Sequence, residues 1–474
     1  MSRRPQEGGL AIVLHSHMPY VEGFGTWPFG EEWLWEAVAC VYLPLLDMLD
    51  GAPVTLGLTP VLCDQLEAMR GDAGERYLRF LRDVRAPIHA EDAAGLDEAG
   101  EPRLAAEVRR AASDYTRAER AFEERGRDLV SAFAALERVE LWTSAATHGL
   151  LPLMATDAGM RLQVATGTAA HLHRFGDWDG GFWLPECAYV PGLERELADH
   201  GVRVFCVDQT GVPDFDHLTP VASEPGPVAV PIDWDAVRLV WDREHGYPAH
   251  ATYRDYWGRT LHDLTPWSNA GQPYEHEAAL ELARSHASDF VRRAAERLAG
   301  GGLLCCALDT ELLGHWWYEG LVWLGAVFEE AEAQGVRLVT VSEGIELVEP
   351  VARPLAPSTW GAGKDFTTWD APAVAELAFQ ARAAELRTVA AVAEHGAPHA
   401  ALERAARELL AMQASDWAFM VTRDLAADYP SERMRLHGAA LDAALAALTD
   451  SAAAPDPSVR GLAPHLDLSP LTTP

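Results

Sequence analysis

Leu10-Ala11-Ile12-Val13-Leu14 runs directly into His15-Ser16-His17-Met18-Pro19-Tyr20. An apolar run this short, ended by polar residues, reads as a first buried strand and not as a secretory hydrophobic segment. Four runs of the same kind follow: Val54 to Leu58, Arg203 to Val207, Leu303 to Leu308 and Arg337 to Val341. Each is bounded by Gly, Pro or polar residues, with helical stretches between. Strands alternating with helices predict an α/β fold with a mainly parallel sheet. Periodicity alone leaves an open sheet and a closed barrel both standing.

Outward from these runs, the strand signal stops between Asp64 and Glu137. Arg103 to Glu140 is rich in Ala, Arg and Glu, with Leu104, Val108, Ala111, Tyr115, Phe122, Leu129 and Phe133 near helical spacing. This predicts a helical insertion over residues 64–140, inside an α/β part made of 1–63 and 141–355. The segment Pro350 to Lys364 then separates off a second helical region, whose charged and alanine-rich faces from Pro372 to Ala446 predict a bundle over residues 365–450. The Pro/Ser/Thr-rich tail, 451–474, is expected to be loosely ordered. No internal repeat is present.

The 474 residues suffice for a large core and a smaller second unit. A net charge of −33 repels phosphate-rich partners, so neither nucleic acid nor an anionic membrane surface is expected. No stretch has the length and apolarity of a membrane span. The six cysteines, Cys40, Cys63, Cys187, Cys206, Cys305 and Cys306, lack CxxC or CxxH spacing. They read as thiols of a reducing compartment, giving a cytoplasmic expectation. Sixteen tryptophans are core packing by default, but several lie in polar or Gly-rich sequence, where aromatic planes suit the apolar faces of sugar rings.

Four segments place polar groups where an α/β protein presents its site, just after strands. Alternate residues of an extended chain point the same way, so His15 and His17 can share a pocket; with His148 they would make three ligands of a metal, without an acidic partner at ligand spacing. Glu186, in Gly181-Phe182-Trp183-Leu184-Pro185-Glu186-Cys187, is either a helix N-terminal charge or a functional carboxylate. Leu308-Asp309-Thr310-Glu311-Leu312-Leu313-Gly314-His315-Trp316-Trp317 follows a predicted strand. Helix capping would account for Asp309 or Glu311, but not for His315 and Trp316, which read as a binding surface. Trp360, Trp369 and Gln413-Ala414-Ser415-Asp416-Trp417 form the fourth, dispersed group. Glu186 and Asp309 make chemical sense together: retaining glycosidases use one carboxylate as nucleophile and a second carboxyl as acid and then base.

The motifs His15-Ser16-His17-Met18-Pro19-Tyr20, Ala146-Thr147-His148-Gly149, Gly181 to Glu186, Leu308 to Trp317 and Thr340-Val341-Ser342-Glu343-Gly344 resemble, in order, the five sequence regions of glycoside hydrolase family 57. Within it the pattern is most similar to the 1,4-α-glucan branching enzymes, over roughly residues 8 to 445. The resemblance implies a distorted (β/α)7 barrel with a helical insertion and a C-terminal helical domain. It implies Glu186 as nucleophile and Asp309 as general acid/base, with His15, His17 and His148 around the sugar. It makes Trp241, Trp360, Trp369 and Asp416 glucan contacts and Trp27 a contact at the cleft mouth. An α-glucan is the expected partner, and no metal or organic cofactor is expected. The resemblance also implies a loop tyrosine that shields the site from water. Alignment places that loop near Leu218 to Gly226, which holds no tyrosine, so hydrolysis is expected to compete with transfer. The competing functions are an α-amylase-type hydrolase or 4-α-glucanotransferase, a metal-dependent hydrolase using His15, His17 and His148, and a non-catalytic glucan-binding protein.

Overall fold

The structure is a computed structural model that describes residues 8–223, 226–396, 399–449 and 461–472. Its strands are Gly8–Ser16 (β1), Val54–Leu58 (β2), Val139–Ser144 (β3), Gly181–Trp183 (β4), Val204–Asp208 (β5), Val221–Ala222 (β6), Val228–Ile232 (β7), Gly302–Asp309 (β8), Leu338–Val339 (β9) and Val351–Ala352 (β10). β1, β2, β3, β4, β5, β7 and β8 are parallel neighbours in that order, and β8 returns to β1. The fold is therefore a distorted (β/α)7 barrel. The distortion lies at the closure: β7 meets β8 at Ile232 opposite Cys305, whereas β8 runs beside β1 from Gly302 opposite Gly8 to Asp309 opposite His15. β6 pairs antiparallel with β7, and β10 extends that edge.

Strands of such a barrel face the interior on one side and helices on the other, so both faces are buried and the sequence reads as a continuous apolar run. Leu10 to Leu14 and Leu303 to Leu308 are buried throughout. The predicted run Arg337 to Val341 is strand only at β9; Thr340 instead opens a helix, Val341–Leu347. Its hydroxyl accepts from the Glu343 N–H while the Glu343 carboxylate accepts from the Thr340 N–H, a reciprocal cap. β3 and β7 do not read as apolar runs, because Glu140 and Pro231 interrupt them, and β4 is only three residues long.

Between β2 and β3 the chain is helical, and the long helix Pro102–Glu124 reaches across to the barrel's later loops: Glu107 pairs with Arg254, and Arg110 donates to the Tyr318 hydroxyl at 2.9 Å. After β10, the helices Ala375–His395, Ala400–Met412, Ser415–Thr422 and Tyr429–Ala446 share a core of Ala384, Ala405, Leu409, Met412, Trp417, Met434 and Leu441. The bundle docks through buried Arg433. Its guanidinium donates to the Tyr20 carbonyl (2.6 Å) and to His437 Nε2 (2.7 Å), which fixes the His437 proton on Nδ1, facing Glu408 at 2.6 Å.

The tail departs from expectation. Residues 450–460 lie outside the described residues, but 461–472 pack instead of trailing. Leu462, Ala463, Leu468 and Leu471 are buried against Leu162, Val392, Leu402 and Ala406, and the Ala463 N–H donates to Asp64 Oδ2 at 2.7 Å. Apolar residues spaced along a proline-rich tail carry no periodicity, so the sequence does not reveal this seal. Leu462→Ala is expected to cost about 2–4 kcal/mol, seen as a lower midpoint in a thermal scan; an unchanged midpoint would mean the tail adds nothing to stability.

Candidate active site

The carboxyl ends of the barrel strands open into a cleft of about 1080 Å³, lined on its far sides by the helical insertion and the bundle. Ten of the residues singled out from the sequence line it: Glu186, Asp309, His15, His17, His148, Trp27, Trp241, His315, Trp316 and Trp360. Asp416, an eleventh, comes from the bundle. Trp27, Trp316 and Trp241 are 67%, 46% and 44% exposed, placed as open aromatic faces. Trp360 is half-buried and lines the cleft, while its indole nitrogen is buried and has no partner among the described residues. Trp369 is corrected: it is 4% exposed and packs on Leu150 and Ala188 behind the loop that carries Trp360, away from the cleft.

Glu186 follows β4 in a tight turn. Both Glu186 (φ 57°) and Cys187 (φ 48°) are left-handed, a conformation uncommon for residues with side chains. The turn is closed by Cys187 N–H to Leu184 O (2.8 Å) and Ala188 N–H to Pro185 O (3.0 Å), and Trp360 N–H donates to Glu186 O at 2.7 Å. The next helix starts only at Leu193, after Gly192. Glu186 is therefore no helix N-terminal charge. Asp309 ends β8 beside His15 and makes no cap to the turn that follows.

Both carboxyls are pushed up. Burial, then the charges of Asp309 and Asp416, raise Glu186 to about 8, against a hydrogen bond from Ser415 and the charge of His17. Burial raises Asp309 to about 6, opposed by His17. Glu311, raised by burial to about 7, accepts from the Tyr42 hydroxyl and from the His17 N–H (3.2 Å).

The three histidines stack, His15 on Trp183 (4.5 Å), His148 on His15 (4.9 Å) and His17 on His148 (4.0 Å). Burial pulls His15 and His148 well below the ordinary imidazole range, so both are neutral. Burial would do the same to His17, but Asp416, 3.0 Å from its Nε2, raises it, and it stays cationic. We assign the protons accordingly: His148 Nδ1–H donates to Ser415 Oγ (3.0 Å), which donates to Glu186 Oε1 (3.0 Å), and His148 Nε2 accepts from His15 Nε2 (3.0 Å). His15 Nδ1 is then bare, in keeping with its having no partner among the described residues.

The metal question takes a new form. His17, His148 and Asp416 offer donor atoms within 4.8 Å of one another, so the acidic ligand that the motifs lacked arrives from the bundle while His15 stands aside. The His17–Asp416 ion pair already satisfies two of these donors.

Glu311 and Ser415 lie in the quoted motifs but were given no role in the site, and Tyr42 and Tyr256 were not singled out. Tyr256 lines the cleft with its ring 4.5 Å from that of Trp316. The expectation for Leu218 to Gly226 is overturned. Glu224 and Pro225 lie outside the described residues, but Leu218 packs under Gly302 and Leu303 at the start of β8, and the β6–β7 hairpin abuts the start of β5. That segment occupies the amino end of the barrel, opposite the site, so its lack of tyrosine says nothing about shielding.

Residues 11–356 match the family model for glycosyl hydrolase family 57, and residues 378–459 match the model for the C-terminal part of 1,4-alpha-glucan branching enzymes. The chain is 32% identical to a 1,4-alpha-glucan branching enzyme of Thermococcus kodakarensis, over 91% of this chain and 72% of that protein. It is 33% identical to a probable 1,4-alpha-glucan branching enzyme of Mycobacterium tuberculosis, over 92% and 91%. The crystal structure of a family 57-type branching enzyme from Pyrococcus horikoshii superposes with a TM-score of 0.91 at 29% identity, covering 98% of this chain and 97% of that one. The ordered motifs, the seven-stranded barrel and these matches together establish that the chain belongs to glycosyl hydrolase family 57.

Proposed function

We propose that the protein is a retaining 1,4-α-glucan branching enzyme, with Glu186 as nucleophile and Asp309 as general acid/base. The observation that carries this is the half-buried carboxyl pair, Glu186 and Asp309, both raised and both lining an aromatic cleft. The relatives named as branching enzymes support the transfer to a 6-hydroxyl. An α-amylase from Thermotoga maritima shares the fold at 23% identity, which supports only the architecture. A cytoplasmic location is inferred from the free thiols, and no helix among the described residues is long and apolar enough to cross a membrane.

In this reading Glu186 attacks the anomeric carbon of an α-1,4-linked glucosyl unit while Asp309 protonates the departing oxygen. The incoming 6-hydroxyl then gives its proton to Asp309, and Glu186 leaves as a carboxylate. Two carboxyls, one of which feels the other's charge, hold one proton between them from about pH 6 to about pH 8. In the empty cleft that proton rests on Glu186, the group held higher. A bound glycoside moves it: the glycosidic oxygen accepts a hydrogen bond only from a protonated Asp309, and the electron-poor anomeric carbon favours an anionic Glu186. Ser415 helps by donating to that anion.

With amylose the protein is expected to build α-1,6 linkages, visible by proton NMR. Glu186→Gln should fold normally and lose turnover by about 10³-fold or more; near-normal activity would remove Glu186 from the mechanism. The working form carries one proton on the pair. It is lost as pH falls through about 6 and as pH rises through about 8, so kcat/KM should be bell-shaped with limbs near those values. Ser415→Ala deletes a hydrogen bond that lowers Glu186, and its alkaline limb should move up, with kcat reduced; an unmoved limb would detach Ser415 from the nucleophile. Because His17 and Asp416 already neutralise one another, dialysis against EDTA should leave turnover unchanged. Loss restored by zinc would favour the metal-dependent hydrolase.

A further inference from the structure

Lys364 is the one lysine among the chain's 38 basic residues, and the chemistry above does not use it. Its backbone is left-handed, φ 58°, where glycine is the ordinary occupant. The position is built for the side chain. Nζ lies 2.8 Å from Asp208 Oδ2 and 3.4 Å from the centroid of the Trp234 ring. Asp208, at the end of β5, is fully buried, and both its oxygens are engaged. Oδ1 accepts from the Thr210 N–H (2.9 Å) and hydroxyl (2.8 Å); Oδ2 accepts from the Trp234 Nε1–H (2.6 Å) beside the ammonium. A compact ammonium reaches one carboxylate oxygen and covers an indole face at the same time; a guanidinium, planar and larger, is less suited to both.

The turn that Lys364 ends is the one that presents Trp360. Lys364 O accepts from Thr359 N–H (3.2 Å) and Lys364 N–H donates to Gly361 O (2.9 Å), closing the turn on itself. Trp360 grips the Glu186 carbonyl through its N–H. Its ring meets Trp234 edge-on at 6.2 Å and Trp183 at 5.1 Å, and Trp183 stacks on His15. A row of rings therefore leads from the ammonium through Trp234, Trp360 and Trp183 to His15, and the Trp360 backbone ties the row to the Glu186 carbonyl.

We propose that Lys364 is a positioning residue: by pinning the 359–364 turn to Asp208 it holds Trp360 against the glycosyl-enzyme, excludes water, and so favours transfer to a sugar hydroxyl over hydrolysis. This rests on the branching reading above. In either outcome the ester bond between Glu186 and the anomeric carbon breaks, Glu186 departs as carboxylate, and Asp309 takes the proton of the O–H that adds. The acceptor alone differs, and access decides it.

The test counts α-1,6 linkages by proton NMR and reducing ends by a chemical assay, on amylose, for wild type, Lys364→Met, Lys364→Gly and Asp208→Asn. The ratio of the two does not depend on how much enzyme is folded, so lost stability alone cannot move it. Each variant should give at least about fivefold more reducing ends per branch. Lys364→Gly is included because it relieves the left-handed backbone yet removes the anchor. The Lys364→Met/Asp208→Asn double variant should go no further than the larger single effect. A folded Lys364→Met with the wild-type ratio overturns the proposal. A second readout leaves Lys364 in place: acetylation by an amine reagent, with peptide mass spectrometry separating Lys364 from the N-terminal amine. Maltohexaose on Trp360 should hold the turn closed and slow Lys364 acetylation in the Glu186→Gln protein; an unchanged rate likewise overturns it. Wild type that forms no branches defeats the branching reading instead, and the anchor is then judged by acetylation alone.

Discussion

Burial pushes Glu186 and Asp309 out of the usual carboxylate range, and the charge on Asp309 makes ionising Glu186 costlier still. Two such groups lower stability in isolation, since each charged form has been taken out of water without a full set of partners. The surrounding structure compensates unevenly. Glu186 receives a hydroxyl hydrogen bond from Ser415 and feels the charge of His17, whereas Asp309 feels the charge of His17 alone. Even with these partners Glu186, at about 8, holds its proton more tightly than Asp309, at about 6, so in the proposed reading it is the bound substrate that draws the proton across to Asp309. The strain at Glu186 and Cys187 belongs to the same arrangement. The left-handed turn is held from outside by Trp360 and by the pairing of Tyr189 with Ser358, so Glu186 is aimed by a loop from another part of the chain.

The histidines extend this division of charge. His17 carries the positive charge and is tied to Asp416 and Thr59. His15 and His148 are neutral and pass one hydrogen-bond direction toward Ser415 and Glu186. Three stacked imidazoles with a single cation among them keep the floor of the cleft from accumulating positive charge that would stabilise both carboxylates alike and remove the acid.

The sequence was most legible where physics leaves a simple mark. β1 and β8 are buried on both faces and read as unbroken apolar runs; the polar residues at their carboxyl ends proved to be His15, His17 and Asp309, around the cleft. β3 and β7 were hidden because Glu140 and Pro231 interrupt them, β4 because it is only three residues long, and the closing contact of Ile232 with Cys305 is a tertiary event with no local signature. In the site, motif chemistry pointed to Glu186 and Asp309. Trp369 was misread because a tryptophan beside a Gly-rich loop looks the same whether its ring faces substrate or core. Leu218 to Gly226 was misread because one sequence cannot fix register across a segment of altered length. The segment holding Ser415 was noticed, but not the serine's contact with Glu186, because a serine next to an aspartate is unremarkable until the bundle docks.

That docking makes the catalytic floor a property of both parts of the chain. The Ser415 N–H donates to the carbonyl of His148, itself left-handed at φ 59°, and the Thr147 hydroxyl donates to the Leu410 carbonyl. Behind them runs a buried amide relay. Gln163 Oε1 accepts from the Thr147 N–H (3.1 Å), Gln163 Nε2 donates to Gln413 Oε1 (3.0 Å), and Gln413 Nε2 donates to Glu385 Oε2 (2.9 Å). Each amide is satisfied only while barrel and bundle stay together, since separating them strands buried donors and acceptors on both sides. Without the bundle the barrel would keep Glu186 and Asp309 but lose the hydroxyl that donates to Glu186 and the carboxylate that keeps His17 charged. The barrel thus supplies both carboxyls, and the bundle adds to the Glu186 end of the site Asp416, whose charge raises Glu186, and Ser415, whose hydrogen bond lowers it.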